Sequence, residues 1–492
     1  MLRLALLLAV AAAASDRASF QLHATPVRAG GAPIPPRFVG LSIEVSSAPQ
    51  VFLTGGLGGP PRPSFTALMR ALAAAGGGAS SGGASVRVGG NSADESAWVP
   101  TGALPPNTTY RITAADFAAY NAAVPLFNGS VIIDTTLRYA DSSALAAAHA
   151  AAATAALGPL LEHIEIGNEP DLFHENGFRP AAFGYADYKA EYAAAAAAVV
   201  AAAGNRLQGA TWCTNDWSAD FADYMAAYGR LLTSVSVHRY AGTACHGGKA
   251  TIAELMADKA AAGEAANVAP AVATAAAHGV PFYIGEGNSV SCGGTTGVSD
   301  VWAAAVWAVD VLFNMASVGV SRWNFHGMPH GPYATASWDN VSTDVVEVRP
   351  LFYGQLVFAF AAANGAVLMT VTTVASSNSF IKCWAVRTAA GEWRAVVLHK
   401  DPAAVENATV TIAPAGARLA GDATLLRALP GPAGLSSKAT DPISWRGLSY
   451  ATTTDGTPAG TPTSERVAAG GAGEFVFELP PASMAVLILP QN

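Results

Sequence analysis

The feature that most constrains this chain is a series of eight short apolar segments separated by longer, alanine-rich spans. The segments run 38–45, 84–88, 131–135, 164–166, 207–212, 235–237, 281–284 and 320–325. Between them, 65–75, 144–157, 185–203, 220–232, 265–278 and 301–317 have the composition of helices, with alanine, the strongest helix former, dominant. Strand-length runs alternating with helical spans predict parallel βαβ units. Eight such units predict a closed (β/α)8 barrel, a TIM barrel, whose chemistry sits at the carboxyl ends of its strands. The residues that stop each apolar run are therefore the candidates for function.

From about 345 the pattern changes. Runs at 367–374, 380–388, 393–400, 408–412, 474–479 and 484–489 are short and split by Gly, Pro and Asp, which predicts an all-β sandwich. Residues 351–362 fit a helix closing the barrel, and the alternating run 19–27 is expected to join the sandwich from the other end of the chain. The expected organisation is a signal peptide (1–14), an N-terminal strand (15–35), a catalytic barrel (36–345) and a β-sandwich (346–492).

Composition excludes several functions. A net charge of -8 without any Lys/Arg cluster argues against nucleic acid or a long sulphated polyanion as partner. Residues 1–14 hold one basic residue, Arg3, then an apolar run ending in small residues, as a secretory signal does. That run is too short for a membrane span of about 20 residues, so no stable membrane insertion is expected. Sequons at Asn107, Asn128, Asn340 and Asn407 fit a secreted glycoprotein. Four cysteines, Cys213, Cys245, Cys292 and Cys383, permit three pairings and show no zinc-site spacing. Cys245 and Cys292 each follow a predicted strand by a few residues, so loops on one face could bring them together. Neither a metal nor a cofactor is expected.

Two apolar runs stop at a carboxylate in the same way: Ile164-Glu165-Ile166-Gly167-Asn168-Glu169-Pro170 and Pro281-Phe282-Tyr283-Ile284-Gly285-Glu286-Gly287-Asn288. Paired strand-end carboxylates are what glycosidic cleavage requires: one protonates the leaving oxygen, the other attacks or activates water at the sugar carbon. Beside them stand Arg87-Val88-Gly89-Gly90-Asn91-Ser92-Ala93-Asp94, His238-Arg239-Tyr240 and Cys292-Gly293-Gly294. In their order and spacing these segments resemble glycoside hydrolase family 79, which includes β-glucuronidases and heparanases, over nearly all of the mature chain.

The resemblance implies roles. Glu169 would be the acid/base, Glu286 the nucleophile, Arg87 the cation that keeps Glu286 ionised, and Tyr240 a hydrogen-bond donor to it. Asn168 would bind the sugar 2-hydroxyl. Glu44, Asn91, Ser92, Asp94, His238 and His326 are candidates for other sugar contacts, although Asp94 fits a helix cap equally well. For the carboxylate of a glucuronate ring the family's pattern points to the N–H groups of Gly293 and Gly294 and the phenol of Tyr333. His330 lies on the same rim. Glu165 shares the parity of Glu169 and is expected to be structural, paired with Arg87. Trp212, Trp217, Trp323 and Trp338 are candidates for walls that stack on sugar rings.

The lack of basic clusters and of a processed linker separates the chain from the heparanase branch. The expectation is a secreted retaining exo-β-glucuronidase releasing terminal β-linked glucuronic or 4-O-methylglucuronic acid from glycans such as arabinogalactan side chains. Two alternatives remain open. One is a retaining glycosidase of the same clan acting on a neutral sugar, which would give Gly293, Gly294 and Tyr333 no carboxylate to hold. The other is a carbohydrate-binding protein without turnover, which the presence of both glutamates disfavours.

Overall fold

The computed structural model describes residues 15–78, 82–338, 340–416, 419 and 421–491. The expected signal peptide lies outside them. Eight parallel strands, Val39–Glu44, Ser85–Gly89, Ser130–Thr135, Leu161–Ile166, Leu207–Trp212, Leu232–Thr243, Phe282–Ser291 and Arg322–His326, close into a barrel in chain order. The eighth strand pairs back onto the first, Trp323 opposite Val39. Along each strand alternate side chains point in and out. In the second strand Val86 and Val88 join the core under the helices, while Arg87 between them reaches acceptors across the barrel.

The sixth and seventh strands run to twelve and ten residues, far beyond the three- and four-residue apolar runs that predict them. Both continue through polar residues, because the inward positions of these strands carry the site. Gly285 in the seventh strand is required by this crowding: a Cβ there would lie 2.9 Å from the Ser236 side chain and 3.3 Å from Glu165 Oε1.

Each of the seven connections between the strands carries a main helix, and an eighth follows the last strand. Six of the connections match predicted spans. The seventh, Ala114–Ala123 between the second and third strands, is not among them. It is short, and its clearest signal is the capping pair Thr113 and Asp116, whose carboxylate accepts the Thr113 N–H at 2.8 Å. The eighth helix, Leu351–Ala361, packs on Trp302–Val318 and Pro63–Ala75. The barrel therefore extends past residue 345, the expected boundary, to include it. Helical span Ser142–Leu160 is long and apolar enough to cross a membrane by composition, but it is an alanine-rich connection between the third and fourth barrel strands.

Beyond the barrel, twelve strands form one hydrogen-bonded sheet. The N-terminal strand Arg17–Pro26 lies inside it, antiparallel to Val367–Ser376 and parallel to Ala408–Pro414. Strand Trp393–His399 shows how the sheet serves two cores: Val396 and Leu398 pack toward the barrel, while Ala395 and Val397 face a second core with Phe20, Ile412, Phe475 and Leu487. All four sequon asparagines are exposed.

Candidate active site

The site is assembled around Arg87. A guanidinium has five N–H donors, and here all five are used. Nε donates to Glu165 Oε2 (2.5 Å), Nη1 to Glu286 Oε2 (2.7 Å) and Ser42 Oγ (3.1 Å), Nη2 to Asp134 Oδ2 (3.1 Å) and Asn168 Oδ1 (2.9 Å). Arg87 is fully buried. Burial works against its charge, but Glu165, Glu286 and Asp134 more than offset that and raise its pKa. Burial pushes Asp134 well above the usual carboxylate range despite Arg87, with Glu165, Asp94 and Glu286 adding to the rise. The guanidinium thus makes its shortest contacts to two glutamates, Glu165 below and Glu286 at the mouth.

The sixth strand reads out the barrel axis with a period of two. Ser236 Oγ donates to Glu165 Oε1 (3.0 Å), His238 Nδ1 lies 2.8 Å from Glu169 Oε1, and Tyr240 donates its phenol proton to Glu286 Oε1 (2.6 Å). Three successive inward residues serve three glutamates in turn. Burial opposes ionisation of Glu286, but His326, His238, Arg87 and the Tyr240 hydrogen bond outweigh it and hold the carboxyl down at about 2. Glu286 is a carboxylate at any ordinary pH.

Glu169 follows the fourth strand in a left-handed backbone conformation (φ 53°, ψ 54°), which only a minority of non-glycine residues adopt. It is 8% exposed and Glu286 5%. Glu169, His238 and Glu286 each offer one atom such that all three lie within 4.8 Å of one another. The same three side chains are the one set among the described residues close enough to share a metal ion. A cation there would sit beside the Arg87 guanidinium and a His326 ring raised in pKa, both already bound to Glu286, so the surroundings do not suit one.

His326, at the end of the eighth strand, bridges Glu286 Oε2 (Nδ1, 3.3 Å) and Glu44 Oε1 (Nε2, 3.6 Å). Burial disfavours its charge, but Glu286 and Glu44 raise its pKa. Glu44 in turn accepts the backbone N–H groups of Asn91 (3.1 Å) and Ser92 (2.7 Å) and the Ser92 hydroxyl. It therefore fixes the loop after the second strand at the mouth of the site.

One expectation is corrected by these contacts. Asp94, a candidate for sugar binding, is buried and accepts the backbone N–H groups of Leu137 (2.8 Å) and Asn168 (2.7 Å). It is a loop clamp, and burial pushes its carboxyl up to about 6 against those bonds. His238 is also fully buried and turns to Glu169. It orients that carboxylate, and its Nε2 is buried without a hydrogen-bond partner among the described residues. The tryptophans are corrected as well. Trp212, Trp323 and Trp338 are at most 2% exposed and Trp217 is 9% exposed; Trp212 and Trp217 belong to an aromatic cluster with Tyr185 and Tyr188. They fill the core and leave no open face for a sugar.

Asn168 is held from both ends, its amide oxygen by Arg87 and its Nδ2 donating to Asn91 Oδ1 (3.2 Å). Tyr333 stacks on Tyr240 at 6.5 Å between centroids, and a Cβ on Gly294 would lie 2.9 Å from the Tyr333 backbone nitrogen. Burial and the carboxylates of Glu286, Glu44 and Glu169 raise the Tyr333 phenol, opposed by the backbone N–H of Gly293. Gly293, Gly294 and Tyr333 are thus brought together beside the glutamates, while His330 is exposed. Cys245 and Cys292 form a disulfide; Cys213 and Cys383 are free.

Several contributors carry little mark in the sequence. Asp134 is a polar residue inside an apolar strand, the same signal that marks Glu165. Ser42, Gln208 and Ser236 have no such signal, because a serine or glutamine in a strand is unremarkable until its partner is known. Asp171 follows Glu169 and Pro170, and its carboxylate accepts the N–H groups of Cys213 (3.0 Å) and Thr214 (2.6 Å), tying the next loop to the glutamate. Burial and Glu169 raise the thiol of Cys213.

No family model matches the chain. A sequence match of 33% identity over 81 residues links it to a β-glucuronidase of Neurospora crassa, covering 16% of this chain and 14% of that protein's length. In structure it is similar to a 4-O-α-L-rhamnosyl-β-D-glucuronidase from Fusarium oxysporum 12S, determined as a complex with Rha-GlcA: TM-score 0.76, 18% identity, 95% of this chain and 99% of the other. It is also similar to a family 51 arabinofuranosidase from Xanthomonas axonopodis pv. citri, with TM-score 0.66, 15% identity and coverage of 96% and 100%. The chain has the barrel-and-sheet fold of these glycoside hydrolases, and a β-glucuronidase appears in the sequence match and a glucuronidase in the structural one, in keeping with the family 79 resemblance of its strand-end motifs.

Proposed function

We propose that this chain is a secreted retaining exo-β-glucuronidase of glycoside hydrolase family 79, acting on terminal β-linked glucuronic or 4-O-methylglucuronic acid in unsulphated glycans such as arabinogalactan side chains. The observation that carries the reading is the carboxylate pair. One carboxylate oxygen of Glu169 lies within 4.8 Å of one of Glu286, in keeping with the separation of about 5–5.5 Å in retaining enzymes and shorter than the about 6.5–9.5 Å of inverting ones.

The two carboxylates have unequal surroundings, as double displacement needs. Glu286, ionised by Arg87, His238 and His326, attacks the anomeric carbon and forms the glycosyl-enzyme. Glu169, oriented by His238, protonates the departing glycosidic oxygen and then takes the proton of the incoming water. Tyr240 moves its hydrogen bond with the charge on Glu286. Asn168, fixed by Arg87 and Asn91, is the donor or acceptor for the sugar 2-hydroxyl. For the ring carboxylate, neutral donors suit a pocket already rich in acids. Tyr333 supplies the phenol, and the Gly293–Gly294 turn supports it.

Hydrolysis of chromogenic β-D-glucuronide, β-D-glucoside and α-L-arabinofuranoside tests both levels of the proposal. Turnover of the glucuronide alone, with the β-anomer released first by NMR, is the expected result. Turnover of a neutral glycoside instead would retain the mechanism and remove the carboxylate assignment. Release of the α-anomer first would overturn double displacement.

A further inference from the structure

The disulfide lies at an unusual place in the barrel. The sixth and seventh strands are twelve and ten residues long, whereas the other six have five or six. Their ladder runs past the catalytic level, from Glu286 opposite His238 and Asn288 opposite Tyr240 to Val290 opposite Gly242 and Ser291 opposite Thr243. A two-stranded ribbon standing beyond a barrel rim loses the pairing on its outer edges and frays readily. Here its tip is tied by Cys245–Cys292, with Cα atoms 5.4 Å apart. Thr243 Oγ1 accepts from Cys245 N (3.1 Å) and from Ser291 Oγ (2.9 Å), drawing the same tip together.

Directly after the tip comes the Gly293–Gly294 turn that supports Tyr333 at the sugar carboxylate. Cys292, Gly293 and Gly294 have φ of 55°, 88° and 87°, three left-handed residues in succession. Such a run has little intrinsic preference to form, least of all at the non-glycine position. Its internal support is a single long contact, Gly294 N to Ser291 O at 3.4 Å. Yet the turn fits closely against Tyr333 and Ser299, with no space for a Cβ on Gly294. A tight fit at the end of a ribbon requires that the ribbon end be fixed.

We infer that the Cys245–Cys292 disulfide is a specificity-determining device: it staples the strand extension so that the Gly293–Gly294 turn holds Tyr333 in register to receive the substrate carboxylate. The inference rests on the glucuronide reading. The catalytic pair lies below the stapled tip and is anchored separately, by Arg87 and by the inward row Ser236, His238 and Tyr240. Opening the disulfide should therefore weaken substrate binding and leave the chemical step alone.

The test compares wild type with Cys245→Ser/Cys292→Ser on 4-nitrophenyl β-D-glucuronide. KM is expected to rise about tenfold or more, the loss of one hydrogen bond to a charged group, with kcat within about twofold. A second arm covers a variant that fails to fold. The folded wild-type enzyme is reduced with tris(2-carboxyethyl)phosphine, two new thiols are counted by mass spectrometry, and KM is measured before reduction, after it and after re-oxidation. Thiols are left unblocked, since Cys213 adjoins Glu169. A reversible rise in KM at constant kcat supports the inference. An unchanged KM overturns it, and so does a parallel fall in kcat, which would make the bridge a general support of the site. If the oxidised wild type shows no glucuronide turnover, the substrate reading fails and this inference with it; intact turnover with insensitive KM removes the inference alone.

Discussion

Glu165 and Glu286 are the same residue type on the same guanidinium, and they have opposite fates. At the floor of the barrel Glu165 is fully buried, and both its oxygens are engaged: Oε2 by Arg87, Oε1 by Gln208 Nε2 (2.5 Å) and Ser236 Oγ (3.0 Å). At the mouth Glu286 has its own donors in Arg87 and Tyr240, but it retains 5% exposure and faces Glu169 within 4.8 Å. Sealing a carboxylate on every side makes it a strut. Leaving one face open toward a second carboxylate makes it a candidate for chemistry. The cation does not distinguish them; access and the neighbour do.

The widest gap between floor and mouth should appear in turnover. Glu286→Gln keeps shape and hydrogen-bonding capacity but removes the proposed nucleophile, and kcat/KM on the glucuronide should fall at least about 10⁴-fold. Residual activity within a factor of about 100 would place the nucleophile elsewhere. Glu169→Gln should cost less, about 10²–10⁴-fold, and unevenly. An activated phenol leaves without protonation and an alkyl alcohol does not, so the loss should be larger for alkyl glucuronides. An equal loss for both aglycones would deny Glu169 the role of general acid.

Legibility in the sequence divides along the same line. The barrel is legible because outward-facing residues such as Val86, Val88, Ile164 and Ile166 write apolar runs whatever the interior holds. The two glutamates are legible because a carboxylate ending such a run is rare. The lengths of the sixth and seventh strands are not, because Ser236, His238, Tyr240, Asn288 and Ser289 break the apolar signal where the site begins. Asp94 is misplaced for a related reason, and the contact of His238 with Glu169 is equally hidden. Residue type and strand-end position cannot say whether a polar group turns to the cavity or to a neighbouring backbone. That depends on contacts with Leu137, Asn168 and Glu169, which come from other strands and loops. Helix Ala114–Ala123 is lost through brevity, with only its cap as signal.

At the floor the large effect should be on stability. Glu165→Ala removes a buried partner and leaves Arg87, Gln208 and Ser236 with donors facing no acceptor, at a cost of about 3–5 kcal/mol. Chemical denaturation at constant pH measures it. A loss under about 1 kcal/mol would mean that water or Asp134 takes over the vacated bonds, and that the floor carboxylate is no strut.

The smallest effect tests the comparison through pH. His326 bridges Glu286 and Glu44, which raise its pKa against burial. A folded-state pKa above the ordinary value of 6.5 means that the folded protein binds this proton more tightly than the unfolded chain does. The resulting stabilisation is complete below that value and lost as pH rises through the raised one. His326→Gln lacks it, so the stability advantage of wild type over this variant should shrink between about pH 5 and pH 9. Parallel thermal melts of wild type and His326→Gln across the window measure this, and a constant difference would show that His326 shares in the charge of the mouth far less than its distances to Glu286 and Glu44 imply.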